Sequence, residues 1–221
     1  MNAAVGAPIP GAAGFVLAGG RSSRMGREKA LIEFAGQPLV SHALAILRGA
    51  GLDAAIVGPR PIFGAIAPVI EDAKAGRGPL AGVCAALAST SARWAVFLPV
   101  DMPLLPASLV AVLVRRAQIT GMPVTVASVN GFAQTFPVVL DRAVLPNLEF
   151  DLNAGAGGCF SAFESAAFTL GQTLAGLPVE LLIQSGQVAH SDRLPASRWF
   201  LNVNAPADLS RAEALQSVFQ K

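Results

Sequence analysis

The chain is organised around one stretch near its start, Phe15-Val16-Leu17-Ala18-Gly19-Gly20-Arg21-Ser22-Ser23-Arg24-Met25-Gly26-Arg27-Glu28-Lys29. It opens with an apolar run that is too short for a helix and is typical of a buried strand. Gly19 and Gly20 end this run, and their missing Cβ atoms allow a ligand to approach the backbone closely. Four cations follow before the stretch ends. Backbone N–H groups and positive charge directly after a first strand favour the binding of a triphosphate.

A glycine turn followed by a solvated basic face is the alternative interpretation, and it would be preferred for a lone Gly-Gly pair. The pattern Gly-Gly-x3-Arg-x-Gly-x2-Lys is longer and therefore more specific. It lacks the Gly-Lys-Ser/Thr ending of a Walker A loop and the Gly-x-Gly-x-x-Gly of a dinucleotide-binding fingerprint. These two types of phosphate-binding loop are therefore excluded.

The composition predicts a globular protein with a large core. The chain has 221 residues, of which 53% are hydrophobic and 14% charged, so disorder is excluded. Its net charge of +2 gives no indication of nucleic-acid binding. Cys84 and Cys159 have neither metal-ligand nor disulfide-framework spacing, which predicts reduced thiols in the cytosol. Residues 1–13 do not resemble a signal peptide, and no apolar run reaches 18 residues. We therefore expect a cytoplasmic protein that does not contact the membrane.

Strands and helices alternate along the first half of the chain, which predicts a mostly parallel sheet with both faces covered. Strands are predicted at 15–18, 54–57, 67–70, 94–98, 123–127, 134–140 and 178–183, and helices at about 38–48, 80–88, 107–118, 159–167 and 206–219. Residues 31–36 are predicted to form a short strand or turn, and residues 153–158 a flexible loop. Ligands bind beyond the carboxyl ends of parallel strands. Gly19, Gly20, Asp72 and Asp101 each follow a predicted strand and should share one rim.

Asp101 is the candidate metal ligand. It follows an apolar strand, and a carboxylate fixed at the edge of a sheet can hold Mg²⁺ between phosphate oxygens. The alternative is a capping residue for the next helix. The combination with the opening glycine loop favours the metal.

Two further patterns have both a functional and a structural interpretation. Gly78 and Gly82 bracket the start of a helix, where a base or ribose could lie against the backbone; a simple turn beside an exposed acidic pair would also explain them. Asn202 and Asn204 can orient a ligand through amide hydrogen bonds. A helix cap would explain Asn204 but not Asn202.

The other polar candidates carry little information. His42 lies in a predicted helix and His190 in no recognisable catalytic pattern, and the two lack metal-ligand spacing. Ser22 and Ser23 are interpreted as loop donors, because no base is positioned to activate them as nucleophiles.

Together the patterns resemble the molybdenum cofactor guanylyltransferases, a family of GT-A-like nucleotidyltransferases. The resemblance is carried by Leu17 to Gly20, Arg24 to Gly26, Glu28-Lys29, Gly78-Pro79-Leu80-Ala81-Gly82, the Asp-x-Pro at Asp101, and Asn202-x-Asn204. It implies an α/β, Rossmann-like three-layer fold of GT-A type with a mostly parallel central sheet. We expect a single domain over residues 1–221, with a nucleotide-binding half at about 14–105 and an acceptor-binding half at about 106–221.

The resemblance also implies an activity, namely the transfer of GMP from GTP to the phosphate of molybdenum-molybdopterin with release of pyrophosphate. It implies Mg²⁺ as cofactor, Asp101 as its ligand, and Arg24, Lys29 and Asp101 as catalytic residues. Asn202 and Asn204 would bind the acceptor. The nucleotide-binding residues would be Leu17, Ala18, Gly19, Gly20, Lys29, Asp72, Gly78, Pro79, Leu80, Ala81, Gly82 and Asp101.

The chain departs from the family pattern at three places. Gly58-Pro59 stands where the family usually has an asparagine, and Phe136-Pro137-Val138 replaces a His-Pro-Thr-like segment. Residues 155–159 replace an expected arginine-rich helix start, which removes cations from the acceptor side.

Because of these departures, two alternatives stay open. One is a related nucleotidyltransferase that uses CTP or another phosphorylated acceptor, although Gly19 favours GTP. The other is an accessory protein that binds nucleotide or cofactor without catalysis. A role in molybdenum cofactor synthesis would imply proteins of molybdenum insertion or molybdoenzyme maturation as partners.

Overall fold

The computed structural model describes residues 6–19, 28–71, 77–155, 158–189 and 195–219. The strands in these ranges are β1 Ala12–Leu17, β2 Glu33–Phe34, β3 Gln37–Pro38, β4 Asp53–Val57, β5 Val69–Ile70, β6 Trp94–Pro99, β7 Val124–Val129, β8 Phe132–Asp141 and β9 Ala175–Pro178. The α-helices are α1 Leu39–Gly49, α2 Arg60–Phe63, α3 Pro79–Ser89, α4 Ala107–Thr120, α5 Leu145–Ala154, α6 Cys159–Thr169, α7 Val179–Gln184 and α8 Pro206–Phe219. Short 3-10 helices lie at Lys29–Leu31, Arg142–Val144 and Ala196–Phe200.

Seven of the described strands form one sheet in the order β5-β4-β1-β6-β8-β7-β9, while β2 and β3 form a small hairpin. The pairs β5–β4, β4–β1, β1–β6 and β7–β9 are parallel. Strand β8 runs antiparallel to both β6 and β7. The predicted α/β fold with a mostly parallel central sheet is therefore confirmed.

Both faces of the sheet carry a hydrophobic core, because the central strands alternate their side chains between the faces. On one face, Val16 and Leu98 pack with apolar residues of α1 and α4. On the other face, Phe15 and Phe97 stack with their ring centroids 5.4 Å apart and pack with residues of α3, α5 and α6. The result is the three-layer arrangement predicted from the sequence.

The functional edge of the sheet is set by the strand directions. Strands β1, β4, β5 and β6 are mutually parallel, so the residues that follow them meet at one rim. Because β8 is antiparallel to β6, its beginning rather than its end reaches this same rim. No helix among the described residues combines the length and apolar character that a membrane span requires.

The strand predicted at 178–183 is wrong. The region instead forms the end of β9 and then α7, which begins directly after Pro178. Val179 and Leu182 are buried three residues apart, whereas Leu181 is 58% exposed. This spacing buries one side of a helical turn, and a run of six mostly apolar residues is too short to show it.

A second difference concerns α5, which the sequence did not predict. Leu148 and Leu152 are buried four residues apart, as on one face of a helix. The helix ends at Gly155, which adopts φ +72° in the left-handed region. Asn153 and Ala154, predicted to be loop, are thus its last residues, and residues 156 and 157 lie outside the described ranges.

His42 is half-buried in α1. Its Nε2 lies 2.7 Å from the carbonyl oxygen of Phe34, and its ring meets the Phe34 ring edge-on. Its contacts are therefore those of a packed side chain, whereas His190, Ser22 and Ser23 lie outside the described residues.

We predict that Gly82→Val destabilises the fold by about 1–3 kcal/mol through overpacking. A Cβ atom on Gly82 would lie 3.0 Å from Cγ1 of Val57 and 3.6 Å from Cδ2 of Leu17, because α3 lies directly on the sheet there. Urea unfolding measures the loss. Ala88→Val, at an exposed position of the same helix, is the control and should change stability by less than about 0.5 kcal/mol. Equal stability of the two variants would contradict the close packing.

Candidate active site

A cavity of about 480 Å³ opens at the rim where the parallel strands end. Its volume lies in the range of sites that take small molecules. The residues that line it are Leu17, Ala18, Gly19, Glu28, Lys29, Pro79, Pro99, Val100, Asp101, Met102, Gln134, Thr135, Phe136 and Asn202. They come from the ends of β1 and β6, the start of the first 3-10 helix, the start of α3, the beginning of β8, and the segment before α8.

An ion pair lies in this cavity. Nζ of Lys29 is 2.8 Å from Oδ2 of Asp101, and the two side chains are 18% and 21% exposed. Asp101 lies two residues after the end of β6, and the N–H of the intervening Val100 donates to the carbonyl oxygen of Leu17 on β1. The position of the carboxylate is therefore set by the central strand pair.

The same ammonium reaches a residue far along the chain. Nζ of Lys29 donates to Oδ1 of Asn204 at 2.7 Å. The backbone N–H of Val203 donates to the carbonyl oxygen of Asp101 at 2.9 Å, which fixes this segment beside the ion pair. Lys29, Asp101 and Asn204 therefore form one hydrogen-bonded cluster.

A helix cap was the alternative interpretation of Asn204, but its side-chain oxygen instead accepts a hydrogen bond from Lys29. The cap is made by Asp208, in the first turn of α8. Oδ2 of Asp208 accepts the backbone N–H groups of both Asn204 and Ala205 at 2.9 Å. In a capping box, the side chain three residues into the helix accepts the backbone N–H at its start, and here an aspartate takes the place of the usual glutamate.

The second oxygen of Asp101 indicates a cation site. Oδ1 is buried and has no hydrogen-bond partner among the described residues. A buried carboxylate oxygen without a donor is costly, so a bound cation would stabilise it. Mg²⁺ in nucleotide sites uses one or two carboxylates together with phosphate and water oxygens. The part of the chain that the structure describes contains no group of three or more His, Cys, Asp and Glu that could hold a metal alone. The donor set at Asp101 thus fits a Mg²⁺ shared with a nucleotide.

Most of the predicted site residues that the structure describes lie at this rim. Leu17, Ala18, Gly19, Lys29, Pro79, Asp101 and Asn202 line the cavity. A neighbouring pocket of about 250 Å³ is lined by Gly78, Pro79 and Leu80, among other residues. The predicted residues Gly20, Arg24 and Asp72 lie outside the described ranges.

The glycines of the Gly78–Gly82 motif have different structural roles. Gly78 adopts φ +80° before the first turn of α3, and a Cβ there would meet only open space. Its backbone is therefore accessible. Ala81 and Gly82 are buried and line neither cavity. A larger side chain at Gly82 would clash with Val57 on the sheet. A loss of nucleotide binding in Gly82→Val could therefore come from altered packing and would not show that Gly82 contacts the base.

Strand β8 contributes Gln134, Thr135 and Phe136 to the cavity, because the antiparallel β8 begins where β6 ends. The family resemblance marks Phe136 as part of a segment that departs from the family pattern, whereas Gln134 and Thr135 were not predicted as site residues. The Phe136 ring meets the Phe163 ring edge-on, with centroids 6.1 Å apart. No pattern within Gln134 and Thr135 reveals which way the strand runs, so the sheet topology was needed to place them at the rim.

Comparison with known proteins agrees with this geometry. The family model described as the MobA-like NTP transferase domain matches residues 14–167, more than half of the chain. The chain belongs to this family.

Relatives with curated names support the same assignment. A molybdenum cofactor guanylyltransferase of Xanthomonas euvesicatoria pv. vesicatoria is 46% identical over 107 residues, which are 48% of this chain and 54% of that protein. The matched segment thus spans about half the length of that relative. A molybdenum cofactor guanylyltransferase of Pseudomonas putida is 37% identical over 155 residues, 66% of this chain and 79% of that protein.

A solved structure shows the same fold. The molybdopterin-guanine dinucleotide biosynthesis protein A of Archaeoglobus fulgidus superposes with a TM-score of 0.73 over 93% of this chain and 98% of its own, at 22% identity.

Two departures from the family pattern have structural explanations. A Cβ on Gly58 would lie 3.0 Å from the buried ring of Phe63, so an asparagine would not fit there without a shift. Cys159 begins α6 and is buried, and burial raises the pKa of its thiol to about 11. It stays protonated at neutral pH and cannot replace a cation.

We predict that Lys29→Ala strengthens Mn²⁺ binding to the nucleotide-free protein on the order of tenfold, because a competing positive charge beside Asp101 is removed. Titration followed by electron paramagnetic resonance of free Mn²⁺ measures the affinity. Asp101→Asn should abolish this binding. Unchanged Mn²⁺ affinity in Lys29→Ala would show that the ammonium and the cation do not share the carboxylate.

Proposed function

We propose that the protein transfers GMP from GTP to the phosphate of molybdenum-molybdopterin, forming the guanine dinucleotide cofactor and releasing pyrophosphate. The observation that carries this proposal is the cluster at the rim, in which Lys29 pairs with one oxygen of Asp101 while the other oxygen is buried without a donor. Such a site supplies an ammonium for phosphate oxygens and a ligand for Mg²⁺. Family membership and the names of the relatives support the choice of GTP and molybdopterin.

The proposed reaction is an in-line displacement at the α-phosphorus of GTP. An oxygen of the acceptor phosphate forms the new P–O bond, and the bond to the bridging oxygen of the β-phosphate breaks. Pyrophosphate leaves with the electron pair. The acceptor phosphate is already ionised at neutral pH, so no proton has to be removed.

Lys29 would act on the triphosphate. Its ammonium would donate to a phosphate oxygen and offset the negative charge that develops there. The backbone at Gly19 is open enough to approach the same phosphates, since an added Cβ would meet only the Val57 carbonyl at 4.0 Å. Arg24 has the same expected role from the family resemblance. Mg²⁺ bound at Asp101 would supply positive charge and orientation to the phosphates.

The cavity is lined by residues from both proposed halves of the chain. Residues 17–19 and Pro79 come from the half assigned to GTP, and Gln134, Thr135, Phe136 and Asn202 come from the half assigned to molybdopterin. Holding both reactants in one cavity is itself a main source of rate for a two-substrate transfer. The reaction would take place in the cytoplasm, where reduced thiols persist.

We predict that Asp101→Asn lowers kcat/KM for GTP by about two orders of magnitude, because it removes charge from the main electrostatic centre. Release of pyrophosphate measures the rate, and the unchanged unfolding midpoint shows that the fold is intact. Asp53→Asn is the matched control, since Asp53 is exposed at the opposite end of β4. Normal turnover by Asp101→Asn at saturating Mg²⁺ would refute the role assigned to Asp101.

Base choice is tested by competition. With GTP, CTP and ATP at equal concentration, Mg²⁺ and molybdopterin, we expect a dinucleotide product that is almost entirely the guanine form. A site that hydrogen-bonds one base edge rejects bases that leave its polar groups unpaired. Mass spectrometry identifies the product.

The other outcomes of this competition select the alternatives. A cytosine product would assign the protein to the CTP-dependent nucleotidyltransferases. Binding of GTP without any product would identify it as an accessory protein.

A further inference from the structure

We propose that Asp208 is a positioning residue for the transfer reaction, because it holds Asn204 and Asn204 in turn holds the ammonium of Lys29. The inference rests on the proposed function, since the Lys29 ammonium is the group that would meet the triphosphate. Asp208 is separated from the cavity by this hydrogen-bonded chain and does not line it.

The Asn204 backbone is fixed from two sides. On one side, Oδ2 of Asp208 accepts both the Asn204 and the Ala205 N–H groups at 2.9 Å. On the other side, the Val203 N–H donates to the Asp101 carbonyl oxygen at 2.9 Å. The Asn204 side chain therefore leaves from a backbone whose position is set relative to Asp101.

This fixation matters because Asn204 is exposed. An exposed amide side chain on a loose segment would sample several rotamers and lose its hydrogen bond for much of the time. The lysine has an even more flexible stem. Two constraints on the segment are needed to keep a 2.7 Å contact between two such side chains.

Among the described residues, the geometry leaves one N–H of the ammonium without an acceptor. A lysine ammonium has three N–H donors. One donates to Oδ2 of Asp101 and a second to Oδ1 of Asn204. These two acceptors orient the third N–H, and Lys29 lines the cavity that would take the triphosphate. Without Asn204 in place, the ammonium is free to rotate about the single remaining contact to Asp101.

A purely structural role for Asp208 has a different consequence. As the cap of α8, its carboxylate stabilises the helix whether or not Asn204 keeps its side chain, because it accepts backbone N–H groups. Loss of the cap costs about 1 kcal/mol of folding free energy in any background. Positioning, in contrast, acts only through the Asn204 amide oxygen.

The test is a double-mutant cycle on full-length protein, with kcat/KM for GTP and urea stability measured for each variant. Asp208→Ala should lower kcat/KM on the order of tenfold, as expected for a residue that acts on the reacting groups only through Asn204 and Lys29. In the Asn204→Ala background the same change should have no further effect on kcat/KM, while its cost in stability remains. Asp208→Asn keeps an oxygen that can accept both N–H groups and should recover most of the activity. Glu213→Ala removes a charge from an exposed position of α8 and is the matched control.

A second readout does not depend on turnover. The chain has only three lysines, Lys29, Lys74 and Lys221, so amine labelling followed by peptide mass spectrometry resolves each one. Asp208→Ala should increase labelling of Lys29 relative to Lys74 several-fold, because the ammonium loses a fixed acceptor. Glu213→Ala should leave this ratio unchanged.

The outcomes separate this inference from the proposed function. An equal loss of kcat/KM in both backgrounds, or no loss in the wild-type background, overturns the positioning role. If the wild-type protein forms no product with any nucleotide, the proposed function fails and the labelling ratio decides the inference alone. An unchanged Lys29 labelling ratio in Asp208→Ala would then refute it.

Discussion

The pairing of β1 with β6 is the constraint on which the site depends. Their parallel register pairs Leu17 with Pro99. Gly19, which follows β1, and Asp101, which follows β6, therefore lie at the same edge of the sheet. The rings of Phe15 on β1 and Phe97 on β6 stack on one face of the sheet and stabilise this pairing. A shift of register by one residue would turn every side chain of β1 to the other face. The core therefore also protects the relative position of Gly19 and Asp101.

The ion pair of Lys29 and Asp101 places opposite charges side by side at the rim. The carboxylate would be unfavourable alone in a partly closed pocket, and the ammonium of Lys29, 2.8 Å away, offsets its charge. Glu28 adds a second carboxylate to the described lining of the cavity, so Lys29 does not balance the negative charge there. In the proposed function, a divalent cation held by Asp101 would supply the remaining positive charge.

Much of the site could be predicted because its main residues follow strands of strong apolar character. Gly19, Lys29 and Asp101 were recognisable from local patterns, and the parallel sheet brought them to one rim. The positions of Gln134 and Thr135 on β8 and the contact between Asn204 and Lys29 were not predictable in the same way. β8 reaches the rim only because it runs antiparallel, and the Lys29–Asn204 contact joins residues 175 positions apart. Helices α5 and α7 were missed because each has too few buried residues to show the helical repeat of about 3.6 residues. Residues within one local motif could thus be recognised from the sequence. The direction of a strand and the contacts between residues far apart in the chain required the structure.

The bond from Val203 to Asp101 couples the order of the rim to the packing of the core beneath it. Val203 and Trp199 are buried in the hydrophobic core on one face of the sheet, although both lie far along the chain from β1 and β6. A local opening of this segment would therefore expose core residues and separate Asn204 from Lys29 in the same event. The free energy that keeps the core closed thus also keeps the ammonium in its place.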